Sequence, residues 1–175
     1  MRKRAMLGIM TRSAEPSEPD STAPILCCRM LTPSFTTCAH SVGSSGRRRG
    51  SFLTRPGWDA FRVTVASLRE YCPAAKPVVI RTAWLPITIL GECIRRRERF
   101  VVRLNRDMDE PMAVETLCHE WAHALAWNYS LDRMARDPDV DRELFEAASH
   151  DEAWGCAYSR VWRVFTLAYG PGRGP

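Results

Sequence analysis

The 175-residue sequence lacks the features that mark membrane-spanning and disulfide-bonded proteins. It contains no run approaching the roughly 20 apolar residues that an α-helix needs to cross a bilayer. Its seven cysteines are odd in number and include no C-x-x-C pair, which is typical of a reduced intracellular protein. Histidine is scarce, with four copies. We therefore predict a cytoplasmic protein without membrane contact. Because histidines are few, two of them close together in the sequence point to a functional site.

The net charge of +5 is distributed unevenly along the chain. Residues 1–56 hold nine Arg or Lys against three Asp or Glu, and residues 57–106 hold ten against four. Residues 107–175 reverse the balance, with six basic residues against thirteen acidic ones. This asymmetric charge distribution argues against a protein that acts only by binding nucleic acid.

The N-terminal segment has the composition of a disordered tail. Residues 1–55 are rich in Ser, Thr, Pro, Gly and Arg, as in SAEPSEPDSTAP and SVGSSGRRRG, and show no helical or strand period. Such a segment cannot bury enough apolar surface to offset its chain entropy. We predict a disordered basic tail over residues 1–55 and one folded domain over residues 56–170.

The sequence from Trp58 onward predicts helices and a few strands. Its first apolar positions fall at helical spacing, and Cys72-Pro73 ends the run. These positions are Trp58, Phe61, Val65, Leu68 and Tyr71. Three apolar runs then predict strands, PVVIRTAWLP, ILGECI and RFVVRL, of which the last two flank the charged turn RRRE.

Two longer helices are predicted in the second half of the chain. Asp109, Glu110 and Pro111 form a helix start, with a capping side chain, an acidic first turn and an early proline, and the helix should run to about Tyr129. Ser149 and Glu152 form an S-x-x-E capping box that opens the last helix. An apolar stripe packs that helix against the core, formed by Trp154, Tyr158, Val161, Trp162 and Phe165.

The first of these two helices contains the motif H-E-x-x-H within TLCHEWAHALAW. His119 and His123 are four residues apart, so their side chains can converge on one ion. The surrounding residues are apolar, and burying these histidines and an ionised carboxylate without partners is costly. A bound zinc ion would offset this cost, because it would give the imidazoles a partner. His119 and His123 are therefore predicted to bind Zn²⁺, with Glu120 as the general base that takes a proton from water.

A third ligand is expected, because catalytic zinc usually takes three protein ligands. We favour His150, which the capping box would place at the first position of the last helix. Glu146, Asp151 and Glu152 are the alternatives, since one class of zinc peptidases uses a downstream glutamate. Glu152 is better explained by the cap, and Asp151 suits an acceptor for a ligand imidazole.

Two runs, RFVVRLNRDMDEPMAVETLCHEWAHAL and HDEAWGCAYSRVWR, resemble the SprT-like zinc metallopeptidases over residues 57–168. The resemblance implies an α+β, zincin-like domain, in which a small, mostly antiparallel sheet packs on an active-site helix and flanking helices. It also implies zinc ligands at His119, His123 and His150, Glu120 as general base, and the strand RFVVRL nearest the cleft. Two departures are visible. Asp151 stands where the family usually has glycine, and the segment between the second and third ligands is long.

The resemblance implies a zinc metalloendopeptidase that hydrolyses peptide bonds of a protein or peptide substrate. Relatives include proteases that digest proteins crosslinked to DNA, so contact with DNA through the basic tail and the RRRE turn is a further expectation. The arginines of this turn are Arg95, Arg96, Arg97 and Arg99. A solvated charged turn explains them equally well.

The alternative function is a non-catalytic, zinc-containing binding module that contacts DNA or a protein partner. A closed site with four protein ligands would favour this alternative. Cys118 and Cys156 are the candidate fourth ligands. Cys118 directly precedes His119 and so points about 100° away from it around the helix, which argues against its participation.

Overall fold

A computed structural model describes residues 51–169 of the chain. Its elements are, from the N-terminus onward, a short 3₁₀ turn (Phe52–Thr54), α1 (Asp59–Tyr71), β1 (Val78–Ala83), β2 (Gly91–Arg95), β3 (Phe100–Asn105), α2 (Glu110–Ala126), α3 (Tyr129–Met134), α4 (Arg142–Ser149) and α5 (Glu152–Tyr169). The predicted α+β class is confirmed. Within the described residues, no helix is both long and apolar enough to cross a membrane.

The N-terminal boundary of the packed structure lies slightly earlier than predicted. Residues 1–50 of the predicted tail lie outside the described part of the chain. Phe52, which the prediction assigned to the tail, is fully buried and stacks on Trp58 with ring centroids 4.4 Å apart. The Arg55 guanidinium lies over both rings and donates to the carbonyl oxygens of Arg106 and Met108. Phe52 therefore belongs to the core, and Leu53 packs against it.

The sheet has the strand order β1-β3-β2. β2 and β3 pair antiparallel around the charged turn, as their spacing predicts, with Cys93 opposite Val102. β1 pairs parallel with β3, with Ile80 opposite Val102. The sheet is therefore mixed rather than mostly antiparallel. RFVVRL is the central strand. Both β2 and β3 contact α2, and Gly91 of β2 lies against Glu120 of the H-E-x-x-H motif.

Helix α2 lies at the centre of the fold and contacts α1, α5, β2 and β3. It begins as predicted, because the Asp109 side chain accepts a hydrogen bond from the amide of Met112 at 3.0 Å. Residues 116–124 are all buried. The helix ends at Ala126, earlier than predicted, because Asn128 caps the next helix by accepting from the amide of Leu131 at 3.0 Å.

The segment between α2 and α5 contains two helices that the prediction lacked, α3 and α4. Asp141 caps α4 by accepting from the amides of Glu143 and Leu144. The predicted S-x-x-E capping box is wrong: Ser149 is the last residue of α4, and its hydroxyl donates to the carbonyl oxygen of Glu146 at 2.9 Å. Asp151 caps α5 instead, accepting from the amide of Trp154 at 3.0 Å.

Candidate metal centre

Helix α2 supplies two of the predicted ligands from its buried middle. His119 and His123 are 6% and 3% exposed. Their Nε2 atoms lie 3.2 Å apart, so the i, i+4 spacing brings both nitrogens to one point. The geometry of one helix is sufficient for this convergence.

The junction of α4 and α5 supplies the third imidazole. His150 directly follows the last residue of α4 and caps that helix; it is not the first residue of the last helix, as predicted. Its Nε2 atom lies 3.3 Å from Nε2 of His119. Its Nδ1 atom lies 2.8 Å from the carbonyl oxygen of Glu146. Because a carbonyl oxygen only accepts, Nδ1 is the donor of this hydrogen bond, and Nε2 is the nitrogen that faces the cluster.

Two of the three nitrogen–nitrogen separations match the spacing of ligands around one ion. His119, His123 and His150 form a group whose ligand atoms all lie within 4.8 Å of one another, and it is the one such group within the described residues. Ligands about 2.0 to 2.1 Å from a tetrahedral ion are separated by about 3.3 to 3.4 Å. The separations from His119, 3.2 and 3.3 Å, agree with this value. The residues present therefore fit a tetrahedral metal ion.

The alternative carboxylate ligands have other roles. The Glu146 carboxylate accepts from Nε of Arg142 at 3.0 Å, and Glu146 contributes to the centre through its carbonyl oxygen. Asp151 caps α5 rather than accepting from a ligand imidazole. Glu152 lies exposed in the first turn of α5. The structure thus brings His150, and none of these three carboxylates, to the cluster.

Burial keeps the imidazoles of α2 neutral. Burial, followed by the charge of His150, lowers the pKa of His119 to about 4. Burial also lowers the pKa of His123 well below its usual range; His119 and His150 add to the shift, and a hydrogen bond with the backbone of Ser149 opposes it. A metal ion binds the neutral form of imidazole, so the site is prepared for a cation at neutral pH.

Glu120 lies against strand β2 and is 1% exposed. A Cβ atom on Gly91 would lie 3.2 Å from Oε1 of Glu120, 3.0 Å from its Cγ and 2.6 Å from Cγ2 of Thr116. Only glycine allows β2 to approach α2 this closely. Sequence reasoning missed the role of Gly91, although a glycine at the start of a predicted strand signals a close backbone approach.

The candidate cysteine ligands do not join the cluster. Burial, followed by the charge of Glu115, raises the pKa of Cys118 to about 12, so the thiol stays protonated. Cys156 is exposed on α5. A metal ligand must be the thiolate. Among the described residues the centre therefore offers three imidazoles, and a further ligand would have to come from outside this part of the chain or from solvent.

An aromatic ring of α5 packs on the imidazoles. The Trp154 ring centroid lies 4.7 Å from that of His150, 4.9 Å from that of His119 and 5.6 Å from that of His123. Its position in an apolar stripe predicts a core residue, and that pattern does not distinguish it from Trp162 farther along the helix.

Comparison with protein-family models, with curated proteins and with solved structures returned no match. The resemblance to SprT-like metallopeptidases stays a prediction from the motifs.

Proposed function

We propose that the protein is a zinc-dependent metalloendopeptidase of the zincin type, similar to the SprT-like enzymes. The convergence of three imidazole nitrogens from α2 and the α4–α5 junction carries this proposal. Imidazole sets suit zinc, copper, iron and nickel, and three histidines with a position left for water are typical of catalytic zinc. The buried carboxylate of Glu120, next to His119 in the chain, supports a catalytic centre over a purely structural one.

His119, His123 and His150 would hold the ion, and the carbonyl oxygen of Glu146 fixes the His150 tautomer that this role requires. Bound zinc would lower the pKa of a water molecule to about 7 and polarise a peptide carbonyl. Glu120 would serve as the general base that takes a proton from water and passes it to the leaving amine. Its burial between α2 and β2 limits the positions that the carboxylate can take, which favours proton transfer along one path.

The proposal is tested by metal analysis and casein digestion with the wild type and Glu120→Gln. We expect one zinc ion in each protein, hydrolysis by the wild type that a chelator stops, and a rate about 100 to 10,000-fold lower for Glu120→Gln. Glu115→Gln, an exposed glutamate of the same helix, is the matched control and should act like the wild type. Near-wild-type hydrolysis by Glu120→Gln would refute the role of the base. Zinc without hydrolysis of any protein would favour the binding module.

The turn between β2 and β3 supports an extension of the proposal to DNA-associated substrates. Arg97 and Arg99 are exposed there, and Arg95 donates to the carbonyl oxygen of Arg97. This turn lies at the opposite end of β2 from Gly91 and Glu120, so a bound phosphate backbone would leave the centre open. Arg97→Ala with Arg99→Ala should weaken DNA binding and reduce its salt dependence. Unchanged binding would remove this part of the proposal.

A further inference from the structure

Trp154 is held firmly beside the imidazole cluster. It lies in the first turn of α5, where Asp151 accepts from its backbone amide. The Tyr158 ring stacks on its indole, with centroids 5.0 Å apart and planes 9° from parallel. The same indole packs on all three imidazoles, with ring centroids 4.7 to 5.6 Å apart. A ring with these neighbours restricts the orientations open to the imidazoles.

The indole N–H of Trp154 is buried, and no described residue accepts a hydrogen bond from it. Other indoles of the fold are satisfied: Trp121 donates to the carbonyl oxygen of Cys72 at 2.8 Å, and Trp127 donates to Asp132 at 3.1 Å. A buried donor without an acceptor destabilises the fold, because it loses its hydrogen bond to water and gains none in return. Indole nitrogen only donates, so it cannot bind a metal ion, and its complement is an oxygen atom.

We propose that Trp154 is a positioning residue for the three imidazoles, and that its N–H binds an oxygen atom of the non-protein ligand held at the cluster. The ligand class is water or a carboxylate-like anion. The contact with the ligand rests on the proposed metal centre, whereas the positioning of the imidazoles depends on the chain alone. The two parts can therefore be tested separately.

Three variants separate the ring from its N–H group. Trp154→Phe keeps an aromatic ring and removes the donor, and Trp154→Leu removes both. Trp162→Phe, on the same helix but 38% exposed, is the matched control. Thermal unfolding identifies the variants that fold. If Trp154→Leu does not fold, Trp154→Phe still tests whether the indole N–H binds the ligand.

The positioning role is tested in the metal-free protein by NMR of the imidazole protons. Loss of the indole ring current should shift the imidazole signals of His119, His123 and His150 in Trp154→Leu, and Trp162→Phe should leave them unchanged. Zinc affinity should fall about 10 to 100-fold in Trp154→Leu and stay within about 3-fold of the wild type in Trp154→Phe. Unchanged imidazole signals in Trp154→Leu would overturn the positioning role, whether or not the protein binds metal.

The role of the N–H is tested with acetohydroxamate as the oxygen ligand, added to the cobalt-substituted protein and followed by visible absorption. Trp154→Phe should bind this probe about 10-fold more weakly than the wild type, which is the loss of one hydrogen bond to a charged group. Equal affinity in both proteins would overturn the oxygen contact. Absence of cobalt and zinc binding in the wild type would instead refute the proposed function and, with it, the oxygen contact.

Discussion

The two sides of the imidazole cluster position their ligands by different means. On the α2 side, one buried helix fixes His119 and His123, and the turn of the helix alone makes them converge. On the junction side, His150 follows the last residue of α4 and relies on a hydrogen bond to Glu146 and on the Asp151 cap that starts α5. A pair of ligands can therefore be predicted from spacing, whereas the third depends on how two helices meet.

The two sides also differ in their surroundings. Residues 116–124 of α2 are buried, whereas Asp151 and Glu152 of the junction are exposed and His150 is partly buried. A fully packed helix tolerates little change in volume. The junction has open space, since a Cβ atom on Gly155 of α5 would meet nothing within 4 Å. We therefore expect the α2 side to be rigid and the junction side to be adjustable.

The largest effect should come from removing a ligand on either side. Structural zinc sites bind with about 10 to 16 kcal/mol at pH 7, and the ligands share that energy. His123→Ala and His150→Ala should therefore each weaken zinc binding on the order of 1,000-fold, as measured by competition with a chelating dye. His40→Ala, the fourth histidine of the chain, is the control. A loss of only about 10-fold for His150→Ala would mean that the junction supplies no ligand.

Acid should destabilise the metal-free protein through the α2 side. An unfolded histidine binds a proton near pH 6.5, whereas His119 in the fold has a pKa of about 4. Between these values the unfolded state binds more protons, so the free energy of unfolding falls as the pH falls from 6.5 to 4. His119 alone should account for about 3 kcal/mol of this loss. Urea unfolding at several pH values tests this, and His119→Asn should show a weaker dependence. An equal dependence in both proteins would contradict it.

Replacing a glycine by alanine should change stability in opposite directions on the packed side and on the open side. Gly91→Ala forces its Cβ atom against Thr116 and Glu120 and should cost about 1 to 3 kcal/mol of stability. It should also lower hydrolysis, because the Glu120 carboxylate must move. Gly155→Ala, in the helix α5 with open space around it, should stabilise the protein by about 0.5 to 1 kcal/mol. Thermal unfolding measures both. Equal effects would show that the two sides are packed alike.

The smallest effects should come from the helix caps. Asp109→Ala and Asp151→Ala each remove one capping hydrogen bond and should cost about 0.5 to 2 kcal/mol. Only Asp151→Ala should also weaken zinc binding, about 10-fold, because it loosens the junction that holds His150. Asp109 lies at the far end of α2, so its loss should leave zinc affinity unchanged. An equal change in zinc affinity for both variants would end this distinction.

Features that depend on a single helix or hairpin could be predicted from the sequence. The start of α2, its burial and the convergence of His119 and His123 follow from a cap, an apolar surface and a four-residue spacing. The hairpin of β2 and β3 follows from two apolar runs around a charged turn. The parallel pairing of β1 with β3 involves residues distant in the chain, and no local pattern predicts it.

The junction could not be predicted in the same way. The segment between the second and third ligands is highly charged. Its two helices, of six and eight residues, are shorter than the window over which an apolar period is read. The capping residues Asn128 and Asp141 are signals that could have identified α3 and α4. Ser149 and Asp151 both suit a helix cap by residue type. The choice between them depends on where α4 ends, because Ser149 is still the last residue of that helix. The structure places His150 in the cluster, whereas the predicted reason for its position, a Ser149 cap, is wrong.

X-ray absorption at the zinc edge of the zinc-loaded protein tests most directly whether both sides bind one ion. We expect three imidazole nitrogens at about 2.0 to 2.1 Å with one additional oxygen, and two imidazoles in the His150→Ala protein. A sulfur atom at about 2.3 Å, or an imidazole count that stays the same after His150→Ala, would contradict the convergence of α2 and the junction on one metal ion.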